Sequence, residues 1–280
     1  MIQDISPRKL KNEYRPDATP NTDSLIVIHM DGKLLLKIDE ESNYIAYPTY
    51  SMLPGIDTTY LFSIDDEEFF YFNGDVNSLH IPADYEFCDM KHLRNFYLAP
   101  KRYVYAAFTA LQLAEWYEGN KYCGRCGSTN THSLKERALV CPNCNRVLYP
   151  RINPAVIVGV TNGDRLLLTK YRVGFRHNAL VAGFTEIGET VEQTVEREVM
   201  EEAGLKVKNI RYYKSQPWGI ASDILMGFFC DVDGDDTITM DESELKYAQW
   251  VSREDIELQP LDYSLTNEMM KLFKENKNIN

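Results

Sequence analysis

The chain has 280 residues, enough for two domains and for a core that needs no disulfide staples. Hydrophobic residues make up 44% and charged residues 26%, the balance of a folded protein rather than a disordered or fibrous one. Thirty basic against forty-two acidic residues give −12 at pH 7, a field that repels nucleic acid and anionic membrane surfaces over any broad contact. No apolar run reaches the roughly 18–20 residues of a membrane span, and MIQDISPRKLKNEYRPD has no secretory apolar core, so a cytoplasmic protein without membrane contact is expected.

In chain order, Ser24–His29 and Leu34–Ile38 flank Asp31-Gly32 and predict a hairpin, because that turn needs positive φ. Tyr60–Ile64 and Phe69–Phe72 around an acidic turn predict a second. Ala107, Leu111, Ala114 and Trp116–Tyr117 recur at helical spacing and predict a helix from Tyr103 to Tyr117. Further on, Ala155–Val160 and Arg165–Thr169 flank Asn162-Gly163-Asp164 as strands, Leu225–Cys230 and the segment at Trp250 read as two more, and Leu265–Phe273 as a closing helix. The organisation expected is a β-rich domain with a linking helix over 1–118, a small insert over 119–150 and an α/β domain over 151–280.

The insert is defined by cysteines. Cys123-x2-Cys126 and Cys141-x2-Cys144 stand fourteen residues apart, while Cys88 and Cys230 are isolated. In a reducing compartment two such pairs form a Zn²⁺ site rather than disulfides, since each turn offers two thiolates to a tetrahedral ion. Four ligands leave no open position, so one structural zinc per chain is expected.

The stretch that carries chemistry is Gly183–Leu205. Thr190 with Gln193 fits a capping box and starts a helix near Val191. On that helix Glu198, Glu201 and Glu202 fall at i, i+3 and i+4, beside the apolar stripe Val191, Val195, Val199 and Ala203. Two unit charges roughly 4 Å apart repel by about 4 kcal/mol at an effective dielectric of about 20, so such a face calls for divalent cations. Carboxylates suit Mg²⁺ or Mn²⁺.

Gly183, five residues, Glu189, seven residues, then Arg197-Glu198-Val199-Met200-Glu201-Glu202-Ala203-Gly204-Leu205 resembles the Nudix box at all nine specified positions. The resemblance implies an α/β/α sandwich on a mixed sheet, and hydrolysis of a nucleoside diphosphate linked to a variable group with two or three divalent ions, Mg²⁺ or Mn²⁺. The preceding zinc ribbon and Ser215-Gln216-Pro217-Trp218 resemble the NADH pyrophosphatase branch. That branch continues Pro-Phe-Pro-x-Ser, whereas this chain has Gly219-Ile220-Ala221-Ser222-Asp223, which leaves cleavage secure and alters the substrate loop.

Carried over residue by residue, the resemblance makes Tyr149 and Phe184 the aromatics that sandwich the nicotinamide ring. It makes Arg94, Glu136, Thr266 and the loop Gln216, Pro217, Trp218, Gly219, Ile220, Ala221, Ser222 and Asp223 substrate contacts. The Ala182 backbone and Glu244 join Glu198 and Glu202 at the Mg²⁺/Mn²⁺ site. Arg197 can hold Glu189 in place, and Glu201, the glutamate with the least obvious ligand role, is the candidate general base. The activity implied is cleavage of NAD(H) to AMP and nicotinamide mononucleotide, extending by the same bond chemistry to NAD caps on RNA 5′ ends. A homodimer is implied as well, and Phe108, Trp116, Tyr117 and Tyr122 are offered by the sequence as its exposed aromatics. The alternative from another class is a non-catalytic sensor that uses the ribbon for DNA or protein contacts. The run Asp231–Glu242 is spaced like an EF-hand loop, but Asp236 occupies the position that needs glycine, and an acidic connection between strands is expected instead.

Overall fold

The apolar runs before the ribbon form two small sheets. In the computed structural model, which describes residues 1–173 and 177–277, they comprise β1 Leu10–Lys11, β2 Leu25–Val27, β3 His29–Met30, β4 Lys33–Asp39, β5 Tyr44–Ala46, β6 Thr58–Ile64, β7 Glu67–Phe72 and β8 Glu86–Asp89. One sheet has the order β1-β6-β7-β2; the other has β3-β4-β5 with β8 also on β4. The β6–β7 hairpin is antiparallel and turns through Asp65 at φ 52°.

The first expected hairpin forms, with a shorter first arm than expected. Asp31 and Gly32 do turn at φ 51° and 74°, and β3 pairs with β4, but the run before them breaks into β2 and β3. Leu25, Ile26 and Val27 are all buried, so β2 has no wet face to present and instead pairs parallel with β7 in the other sheet.

Two helices follow, α1 Met90–Asn95, capped by Asp89 accepting from the Lys91 N–H, and α2 Lys101–Gly119. Phe108, Trp116 and Tyr117 of α2 are buried within the chain, which corrects their reading as exposed aromatics; only Tyr122 of the four is exposed. The N-terminal β-rich region itself covers one of them, the Tyr117 ring stacking on Tyr71 of β7. The ribbon follows with β9 Thr131–His132, β10 Leu139–Val140 and β11 Val147–Leu148, paired β11-β10-β9.

The second unit comprises β12 Asn153–Asn162, β13 Arg165–Tyr171, β14 Val181–Phe184, α3 Val191–Ala203, β15 Val207–Trp218, β16 Asp223–Val232, β17 Leu245–Ser252 and α4 Leu265–Lys274. Its sheet runs β15-β16-β12-β13-β17, with β14 also on β12; β12 and β16 are parallel and the other pairs antiparallel. Alternation along β12 divides the core, as a strand's pleat requires. Val156, Val158 and Val160 pack with Val195, Val199 and Ala203 of α3. Ile157 packs on the other face with Met269, Met270 and Phe273 of α4. This is an α/β/α sandwich on a mixed sheet.

The chain therefore comprises two compact units, 2–151 with Gly219–Ser222, and Met1 with 152–218 and the residues from 223 onward. Among the described residues no helix is long and apolar enough to cross a membrane. The acidic run Asp233–Asp241 connects strand β16 to strand β17, with no helix pair around it.

Candidate functional site

The loop into α3 is fixed by reciprocal capping. Thr190 Oγ1 accepts from the Gln193 N–H at 3.2 Å, and the Thr190 N–H donates to Gln193 Oε1 at 2.8 Å. At the other end Gly204 takes φ 69°, a left-handed C-terminal turn that glycine adopts at little cost. Between these ends Arg197 is the hub. Its Nε and Nη2 donate to the Glu189 carboxylate at 2.6 and 3.0 Å, and Nη2 also reaches the Phe184 carbonyl at 2.9 Å. Its Nη1 donates to Glu198 Oε1 at 2.7 Å and Glu201 Oε2 at 3.0 Å. One guanidinium thus ties the loop, β14 and two glutamates of α3 together, a task suited to a planar five-donor fork. Thr194 adds a hydroxyl donor to Glu189 at 3.0 Å.

The three glutamates sit at different depths. The Glu201 side chain is 61% exposed, that of Glu198 13%, and Glu202 as a residue only 3%. Glu202 Oε1 receives long contacts from the Tyr171 hydroxyl at 3.4 Å and the Ala182 N–H at 3.5 Å, while its Oε2 is buried without a partner. Burial first, then the charges of Glu198 and Glu244, raises the Glu202 carboxyl to about 8. Burial also raises Glu198, against the pull of Arg197. Glu189 is held down at about 2, chiefly by its hydrogen bonds from Arg197 and the Glu186 N–H. Buried carboxyls with an unused oxygen are a donor set that fits a hard divalent cation, whose charge would displace their protons. Glu244, exposed before β17, contributes its field to both buried glutamates. Tyr171 was not anticipated from the sequence, because it stands on β13 outside the box and has no spacing signal.

In the ribbon the four cysteine sulfurs all lie within 4.8 Å of one another, the one such group of ligating side chains among the described residues. Hydrogen bonds with the backbone and side chain of Ser128 hold the Cys126 thiol low, and the Arg125 N–H does the same for Cys123, so thiolate is favoured at these two positions. Cys144, despite the Arg146 N–H, is raised to about 11 by burial and the neighbouring thiols. Tetrahedral sulfur donors of this kind fit Zn²⁺.

Other expected residues are placed as follows. The Tyr149 hydroxyl donates to Glu136 Oε1 at 2.9 Å, and both are exposed on the ribbon side of the chain. Phe184 is exposed at the end of β14 and belongs to the other unit. Arg94 is half-buried on α1, and Thr266 half-buried in the first turn of α4. Gln216 is fully buried; its Nε2 donates to the Tyr263 carbonyl and its Oε1 accepts from the Leu265 N–H, both at 2.7 Å, so its side chain ties β15 to the start of α4. Trp218 and Asp223 are buried and paired in register across β15 and β16, while Pro217 is exposed. Asp223 accepts from Asn153 Nδ2 at 3.4 Å. The turn between them, Gly219-Ile220-Ala221-Ser222, belongs to the N-terminal unit, where a Cβ on Gly219 would lie 1.9 Å from the Phe108 carbonyl oxygen.

Residues 120–149 match the NADH pyrophosphatase zinc ribbon domain and residues 151–273 the NUDIX domain. An NAD-capped RNA hydrolase NudC of Enterobacter sp. (strain 638) is 44% identical over 154 residues, 54% of this chain and 58% of that protein. Its namesake from Escherichia fergusonii is 41% identical over 175 residues, 61% of this chain and 67% of that protein. These matches span 58% and 67% of the two relatives' lengths. A solved Nudix hydrolase from Nitrosomonas europaea aligns with a TM-score of 0.48 at 22% identity, over 55% of this chain and 91% of that one. With the box on α3 and the ribbon ahead of it, the chain belongs to the NADH pyrophosphatase family of Nudix hydrolases.

Proposed function

We propose that this chain hydrolyses the pyrophosphate bond of NAD(H) to AMP and nicotinamide mononucleotide, with Mg²⁺ or Mn²⁺, in the cytoplasm. The observation that carries the reading is the buried, unpartnered Glu202 Oε2 beside Glu198 and within the field of Glu244. Glu198, Glu202, Glu244 and the Ala182 carbonyl would hold the ions, which neutralise phosphate charge and raise the acidity of water when bound. The chain's own part is positional. Arg197 keeps Glu189 ionised and the loop into α3 closed, while the closeness of Gly183 to Glu198 leaves that carboxylate room. Glu201 uses Oε2 on Arg197, leaving Oε1 as the atom that takes the attacking water's proton. Tyr149 and Phe184 are proposed as the ring contacts. Arg94, Glu136, Thr266 and the 216–223 loop are proposed as the further substrate contacts, with Gln216 acting through the backbone it holds.

The relatives named NAD-capped RNA hydrolase support a second substrate, an RNA 5′ end bearing the same dinucleotide. At −12 overall, the chain favours short or mobile RNA ends. A dimer of about 65 kDa, twice the 32.4 kDa chain, is proposed from the family resemblance, with Tyr122 the remaining exposed aromatic of those named for it. Comparing kcat/KM on free NADH and on NAD-capped RNA ranks the two substrates, and Glu201→Gln abolishes turnover on both while the protein stays folded. An unchanged kcat in that variant removes Glu201 from its role.

A further inference from the structure

The N-terminal sheets carry no residue of the proposed chemistry except through one contact set on the ribbon. Arg137, the residue after Glu136, sends Nη2 to the Leu61 carbonyl of β6 and to Asn12 Oδ1 at 3.3 Å. Its guanidinium lies 5.6 Å from the centre of the Tyr14 ring, within cation–π range. The Tyr14 hydroxyl donates to the Ser133 carbonyl at 2.6 Å. Tyr117 of α2 stacks on Tyr71 of β7 at 6.1 Å and on His132 of β9 at 5.1 Å.

The Arg137 and Tyr14 contacts meet one turn, Ser133–Ala138, which closes on itself through the Ser133 N–H to the Ala138 carbonyl at 2.9 Å, and the Tyr117 stacking reaches His132 just before it. At its centre Glu136 accepts from the Tyr149 hydroxyl. Arg137 makes no ion pair among the described residues, and its acceptors are neutral. A guanidinium fork on a fixed carbonyl sets direction more than it balances charge.

We infer that Arg137 is a positioning residue through which the N-terminal sheets fix the Glu136–Tyr149 pair, so that these sheets govern substrate affinity without touching substrate. The inference rests on the reading of Tyr149 as a substrate contact. It assigns the first ninety residues a task in recognition rather than in cleavage.

The test uses the full, zinc-loaded chain with Arg137→Met, Arg137→Lys, Tyr14→Phe and Tyr149→Ala, each assayed on NADH with zinc content and melting temperature recorded. Arg137→Met is expected to raise KM about tenfold, the loss of one charge-assisted hydrogen bond, with kcat within about twofold. Arg137→Lys restores part of that loss. Amide exchange across 133–138 quickens in Arg137→Met, while exchange across α3 is unchanged. If Arg137→Met melts or loses zinc, Tyr14→Phe, which removes only the hydroxyl on Ser133, decides by the same KM and exchange readings. A raised KM in Tyr149→Ala with an unmoved KM in the Arg137 and Tyr14 variants overturns the inference and leaves the substrate reading intact. An unmoved KM in Tyr149→Ala overturns the substrate reading and this inference with it.

Discussion

A Cβ on Gly183 would lie 2.0 Å from the Glu198 carboxylate, so the first residue of the box is glycine because a functional side chain occupies the space beside it. The obstructing atoms are the end of a flexible side chain, which can swing away. Gly183→Ala is therefore expected to shift stability by less than about 1 kcal/mol yet cut activity roughly a hundredfold by displacing Glu198. Urea denaturation and kcat, measured on one preparation, separate the two effects.

Removing the hub is expected to cost stability as well as activity. Arg197→Met leaves Glu189, Glu198 and Glu201 without their shared donor. After discounting for partial exposure, the expected loss is about 2 kcal/mol, together with loss of turnover. A urea midpoint equal to wild type contradicts the assignment of Arg197 as the tie between loop and helix.

The altered substrate loop has a packing reason. Gly219 stands where the family resemblance places proline, and any Cβ there meets the Phe108 backbone. Gly219→Pro, although it restores the family residue, is expected to destabilise by about 1–3 kcal/mol, because backbone rather than a side-chain end must move. A melting temperature at or above wild type rules this out.

The Glu202 carboxyl, raised to about 8, gives a pH signature in buffer free of Mg²⁺ and Mn²⁺. Its folded-state value lies above the ordinary 4.5, so between those values the folded protein holds a proton that the unfolded chain has released. Stability therefore falls as pH rises through that window and levels off above about 8. Glu202→Gln cannot titrate, so its urea midpoint is expected to decline less from pH 5 to pH 8 than wild type's. Parallel declines in the two proteins contradict it.

The box was legible residue by residue because spacing alone specifies it: cap, glycine bracket and the three glutamates depend on local helix geometry. The cysteine set was legible for the same reason. What the sequence concealed is depth. Glu198, Glu201 and Glu202 share a helix face, yet only packing against Tyr171 and Ala182 buries Glu202, and those residues come from β13 and β14. Sheet partners were concealed too. Leu25–Val27 carries the pattern of a hairpin arm, but its parallel mate β7 lies more than forty residues on, and no local signal names it. Likewise the periodicity of α2 gave a helix without saying that Tyr71 of the same chain would cover Tyr117.

The central claim is tested most directly by separating the products of NADH incubated with this protein and Mg²⁺ or Mn²⁺, alongside Glu201→Gln. AMP and reduced nicotinamide mononucleotide in equal amounts, formed by the wild type and absent with the variant, are the predicted result. Intact NADH under both metals, or equal product from the variant, would contradict the account.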